Sequence, residues 1–168
     1  MVNVKLLVVV TNDSVRRRLL DAWRAFVVGP GRGALPGGGE EAIEEAPVAF
    51  GRVDVREGLS LYVFIVEGGW RREYVCRVLA GQVFGYCLVV GPDSNDLLMA
   101  EDLLTLLDEA CPDGGVVAAT APEEADLVCR ALSVPPQVAV TTVDCESRSS
   151  ISEMLCVLLE HLAVAPAA

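Results

Sequence analysis

Four groups of side chains in this sequence have types and spacing that bear on chemistry. The first is Thr11-Asn12-Asp13-Ser14, four hydroxyl, amide and carboxylate residues between an apolar run and a helical pattern. In many α/β proteins this first strand-to-helix turn binds phosphate through backbone amides at the helix start. This turn contains no glycine and no lysine, and Asp13 adds a negative charge. The second group is Thr120-Ala121-Pro122-Glu123, and the third is Asp144 with Cys145. The fourth comprises six cysteines, at 76, 87, 111, 129, 145 and 156, and a lone histidine, His161. No pair of cysteines is spaced as CxxC, and only His161 could add an imidazole, so no metal centre is expected. A cysteine nucleophile would have only one histidine, His161, to draw on. The cysteines therefore read as small buried hydrophobes.

The elements that must position these groups follow from the periodicity. Lys5 to Val10 is a continuous valine-rich run, the pattern of a strand buried on both faces. Val15, Leu19, Ala22, Trp23 and Phe26 then recur at helical spacing, with Ser14 as the expected cap. A glycine- and proline-rich stretch, 29–39, and an acidic stretch, 40–45, read as an insertion loop over 29–46. Two strands, 47–55 and 59–66, flank Arg56-Glu57-Gly58 as an antiparallel hairpin. A short helix with Tyr74, Val75, Val78 and Leu79 on its apolar stripe precedes a strand over 83–90. A helix reaches about Ala110 with Leu97, Ala100, Leu104 and Leu107 on one side. Further on come a strand over 116–119, a helix over 122–133 opened by a Thr120-x-x-Glu123 capping box, and a strand over 137–143. A last helix starts at Ser149 or Ser150, the latter opening the capping box Ser150-x-x-Glu153. The order predicts one α/β domain over 1–163, with a frayed tail over 164–168. It is a three-layer sandwich: a six-stranded, mostly parallel sheet, one antiparallel edge strand, and helices on both faces.

Composition narrows the functions. A net charge of -11 and a pI near 4.4 oppose nucleic-acid binding, which needs a basic face. Hydrophobic residues make up 52% of the chain and the mean hydropathy is +0.44, enough for a sizeable core. No apolar run is long enough for a membrane span. Met1 leads directly into the first strand without a signal-peptide layout, which predicts a cytoplasmic protein. One lysine against twelve arginines, and few amide side chains, give a thermophile-like profile.

Over Phe50 to Leu162 the sequence resembles the Ras-like small GTPases, and within them the bacterial MglA-type group. Phe50-Gly-Arg-Val, Leu61-Tyr-Val-Phe64, Gly68 and Tyr74 are similar to that group's FGRI and LYLFGTPGQERF segments. Val143-Asp-Cys-Glu-Ser-Arg-Ser-Ser-Ile, leading to Leu158-Leu-Glu-His161, is similar to its last loop and helix. The resemblance implies a Ras-like sheet, but the nucleotide-binding motifs are degenerate. Asn12, Asp13 and Ser14 stand where a glycine- and lysine-containing phosphate loop would be. Pro47 stands near the switch I threonine, Val66 at the metal-side position, and Gly69 at the water-positioning glutamine. Thr120 to Glu123 replaces the guanine-reading NKxD, and Asp144 matches the loop near the base. Losing all of these together removes the groups that position and stabilise a transferring phosphoryl. The expectation is a pseudo-GTPase: no hydrolysis, no cofactor, and a role as a protein-interaction module in signalling.

The resemblance also implies a partner surface at switch II, Glu67, Gly68, Gly69, Trp70, Arg71, Arg72 and Tyr74, rich in the residue types that anchor interfaces. It implies a Roadblock/LC7-type protein as a partner. Two other readings stay open on the residues alone. One is a residual nucleotide or anion binder. The other is a receiver-like domain, for which the single acid Asp13 and the missing late lysine are a poor fit.

Overall fold

The six described strands form one sheet, with the valine-rich run of residues 5–10 near its middle. The structure, a computed structural model, describes residues 2–24, 48–66, 72–112 and 114–164. The insertion loop expected over 29–46 and most of the expected tail lie outside these residues. In chain order the elements are β1 (Val2–Val10), α1 (Asp13–Arg24), β2 (Val48–Arg56), β3 (Leu59–Val66), α2 (Arg72–Ala80), β4 (Gly85–Val90), α3 (Ser94–Ala110), β5 (Gly115–Ala119), a 3-10 turn (Pro122–Glu124), α4 (Ala125–Leu132), β6 (Val138–Thr142) and α5 (Arg148–Val164).

The strand order is β2-β3-β1-β4-β5-β6. β1 runs parallel to β3 and β4, with Leu6 opposite Val63 and Gly85. β5 and β6 continue the parallel run. β2 alone is antiparallel, paired with β3 at the edge, and a bulge between Asp54 and Arg56 breaks its register. Gly58 closes the hairpin at φ +82°, a conformation that favours glycine. On this edge the Arg52 guanidinium lies 5.8 Å from the centre of the Tyr62 ring, its cross-strand partner. The expected architecture, a mostly parallel sheet with one antiparallel edge strand, is what the chain adopts.

Side chains of β1 alternate between two cores, since successive residues of a strand point to opposite faces. Leu6, Val8 and Val10 pack with Val15, Leu19 and Trp23 of α1 and with Ile151, Met154, Leu155 and Leu158 of α5. Leu7 and Val9 pack with Val75, Cys76 and Leu79 of α2, with the buried stripe of α3, and with Val128 and Leu132 of α4. Helices therefore cover both faces, making three layers. Tyr74 departs from its expected place on the apolar stripe. Cys76 and Ala80 take the inward positions instead, and Tyr74 is 69% exposed. Two strands are shorter than expected: Val83 and Phe84 precede β4, with Phe84 exposed, and Gln137 and Val143 flank β6.

One contact fixes β4 against β5. Tyr86 is fully buried and pairs with Gly115, and a Cβ on Gly115 would come within 2.4 Å of its ring. The phenol hydroxyl has no hydrogen-bond partner among the described residues, and burial pushes its pKa up.

Trp23 carries much of the α1 packing at 5% exposure. Trp23→Ala is expected to cost about 3–5 kcal/mol of stability. Urea titration followed by circular dichroism measures it, and an unchanged midpoint would mean that α1 does not depend on this side chain.

Candidate functional site

The parallel strands end together at one edge of the sheet, and there the chain turns to opposite faces. β1 leads into α1 on one face, and β4 leads into α3 on the other. In open α/β sheets the crevice between two such diverging turns is the usual ligand site. Here side chains of both turns bridge it.

Thr11 extends β1 by one residue and is buried at 4% exposure. Its amide donates to the Val89 carbonyl at 3.1 Å, and its Oγ1 accepts from the Gly91 amide at 2.9 Å. Asn12 is the residue before α1. Its Oδ1 accepts from the amides of Ser14 at 2.9 Å and Val15 at 3.2 Å, so it caps the helix. Its Nδ2 donates across the crevice to Asp96 Oδ2 at 3.2 Å. The same carboxylate oxygen accepts from the Asp93 amide at 3.0 Å, at the start of α3. Asp96 is 5% exposed. Gly91 is required by the crowding: a Cβ there would lie 2.5 Å from Asp96 Oδ2 and 2.7 Å from Asn12 Cβ.

Chemically the arrangement holds two loops together and occupies the donors an anion would need. The amides of Ser14 and Val15 already have their acceptor. A buried carboxylate stands on the far side of Asn12, and two unit negative charges about 4 Å apart near a protein surface repel by about 4 kcal/mol.

The six residues read as degenerate nucleotide-site positions all come to this edge, in different roles. Asn12 is the cap, which corrects the assignment of that role to Ser14; Ser14 is exposed in the first turn of the helix. Asp13 is largely exposed and lies 3.9 Å from Arg16. The expected Thr120–Glu123 capping box does not form. Pro122 opens a 3-10 turn instead, Thr120 Oγ1 donates to Glu124 at 3.4 Å, and Glu123 is exposed. Asp144 is exposed and makes a turn, its Oδ1 accepting from the Glu146 amide at 3.0 Å. Ser147 rather than Ser150 starts α5, accepting from the Ser150 amide at 3.3 Å, while the Ser150 hydroxyl accepts from the Asp144 amide. Asp96 was not among the expected site residues. Its signal was Asp93-x-x-Asp96, a capping pattern at the start of α3, but nothing local ties it to Asn12, 84 positions away.

Of the expected partner surface, residues 67–71 lie outside the described residues. Arg72 opens α2, and Tyr74 stands out from it.

The cysteines divide. Cys76, Cys87, Cys111 and Cys145 are buried, but Cys129 on α4 and Cys156 on α5 are exposed, contrary to the reading of all six as core. Burial pushes the Cys87 thiol up to about 12. Burial also raises Cys145 to about 11, with Arg18 opposing and Asp144 and Glu146 adding. Both are neutral thiols at physiological pH. His161 lies at the opposite edge of the sheet, its Nε2 donating to the Gln137 carbonyl, while Gln137 Nε2 donates to Asp108 Oδ1 at 2.8 Å. Among the described residues no three His, Cys, Asp or Glu side chains are placed to share a metal ion.

No protein-family model matches this chain, and no curated protein matches its sequence.

Two outcomes test the geometry. Thr11→Val leaves the buried Gly91 amide without its acceptor and is expected to cost about 1–3 kcal/mol, measured by urea denaturation. With a thiol-reactive disulfide reagent at about pH 8, close to the ordinary thiol pKa, two thiols should react rapidly in the native protein and six after denaturation. A burst of more than two would show that a buried cysteine is accessible.

Proposed function

We propose that this chain is a nucleotide-free, Ras-like domain of the MglA-type group, a cytoplasmic pseudo-GTPase that works in signalling by binding another protein. The observation that carries the reading is the bridged crevice: Asn12 caps α1 and holds the buried Asp96 carboxylate across the place where a nucleotide phosphate would sit. Phosphoryl transfer depends on positioning and charge stabilisation. Here the amides at the helix start are engaged, and the charge facing them has the wrong sign.

The strand order, with one antiparallel edge pair, supports the Ras-like part of the reading at the level of topology. Fold likeness alone does not assign function. The resemblance in the segments around Phe50, Leu61 and Val143 supplies the family, and a Roadblock/LC7-type protein is the partner class that follows from it. The exposure of Tyr74, the last residue of the segment that matches switch II, supports a partner surface on that side.

Calorimetric titration with GTP, and separately GDP, in the presence of magnesium tests the reading. At about 100 μM protein it detects even micromolar affinities. No saturable heat is expected from either nucleotide. Saturable binding with unit stoichiometry would overturn the nucleotide-free assignment.

A further inference from the structure

Six large apolar side chains are exposed among the described residues, and three of them, Tyr74, Leu98 and Met99, sit near the starts of α2 and α3. Single exposed apolar residues are ordinary; a group on neighbouring helices is not. α2 and α3 pack against the same core and both begin at the carboxyl edge of the sheet. Asp108 of α3 bonds Gln137, just before β6, so that flank of the helix faces the β6 side. Met99 is nine residues earlier, about two and a half turns, and therefore lies on the opposite flank, toward α2. Leu98 is 66% exposed and points outward between them. The three side chains thus edge a single seam.

The charge along α3 is one-sided. The seventeen residues of α3 contain five acids and no base. Asp96 is used in the crevice, Asp108 bonds Gln137, and Glu101, seven residues before Asp108, shares its flank, while Asp102 and Glu109 are exposed beside Leu98. Leu98, Asp102 and Glu109 fall at positions i, i+4 and i+11, one stripe of the helix surface. α2 carries Arg72 and Arg77 against Glu73, so the acid excess belongs to α3 alone.

We infer that the α2–α3 seam docks a basic amphipathic segment of another protein, its apolar residues on Tyr74, Leu98 and Met99 and its lysines or arginines along Asp102 and Glu109. Charge selects this occupant over a second copy of the chain. Two copies would set acid against acid in a protein of net charge -11. Leu98 to Glu109 spans about 16 Å of helix, which a partner helix of about eleven residues matches. The inference rests on the reading of this domain as one that works by protein contact, and it adds the chemistry of the partner.

The probe is a fluorescein-labelled amphipathic leucine–lysine peptide of about 14 residues, with its leucine–glutamate counterpart, followed by anisotropy at about 0.05 M salt. The lysine peptide should bind and the glutamate peptide should not. Leu98→Asp should weaken binding at least about tenfold. The double reversal Asp102→Lys, Glu109→Lys should abolish it and admit the glutamate peptide. Glu153→Lys with Glu160→Lys, exposed on α5 in the other helical layer, should change affinity by less than about twofold and serves as the control for diffuse attraction. All substituted side chains are exposed, so melting curves should stay close to wild type. Equal loss in the α5 control, or no effect of Leu98→Asp, overturns the inference. So does a dimer in sedimentation equilibrium that Leu98→Asp dissociates. Nucleotide titration reads the crevice separately, so binding of GTP would overturn the nucleotide-free assignment while leaving the peptide result standing.

Discussion

A helix that begins at the edge of a buried sheet leaves amides that need acceptors, and this structure depends on how the chain supplies them. Two such helices start side by side at the end of β1 and β4, in the place where α/β proteins commonly admit a ligand. The chain meets the need with its own side chains. Asn12 takes two amides of α1, Thr11 takes the amide of Gly91, and Asp96 takes the amide of Asp93 and the side-chain amide of Asn12. Because α1 and α3 lie on opposite faces, the Asn12–Asp96 bond also ties the two helical layers to each other around the edge of the sheet. At the far edge, Asp108, Gln137 and His161 do the same between α3 and α5. The three layers are thus joined by polar contacts at both ends and by two apolar cores between.

Much of this fold was legible in the sequence, for physical reasons that differ by element. The run from Lys5 to Val10 is apolar without alternation, which only a strand covered on both sides tolerates. Val15, Leu19 and Trp23 share one helical face, and they pack together. The hairpin was announced by a three-residue turn ending in Gly58, the residue whose left-handed backbone closes it. Helix starts were harder. Thr11 to Ser14 offers four side chains able to cap, and local propensity does not rank them; the bond from Asn12 to Asp96 selects the cap. At Thr120 the proline two residues on begins a 3-10 turn, which moves the hydroxyl's partner from Glu123 to Glu124. Tyr74 looked like part of an apolar stripe because tyrosine fits either side of an amphipathic helix, and Cys76 and Ala80 compete for the inward face.

The crevice itself was legible only as a set of losses. Glycine-free, lysine-free and acidic, the turn at Thr11 to Ser14 told against phosphate but did not say what stands there instead. Asp96 answers that, and no short-range pattern could have named it as the partner of Asn12. Local reading detects caps and stripes well because they involve residues three or four apart. Contacts between the turns after two different strands depend on strand order, which becomes available only once the whole sheet is assembled.

The fit between Tyr86 and Gly115 constrains how this sequence can change over time. Any side chain at position 115 collides with a ring that is locked in the core, and shrinking that ring first opens a void beside a bare backbone. Either step alone lowers stability, while a smaller residue at 86 together with a larger one at 115 can refill the same volume. The two positions therefore form a reciprocal epistatic pair. In related sequences they should change together or not at all, and a lineage that crosses between the two solutions must first have accumulated spare stability elsewhere in the domain.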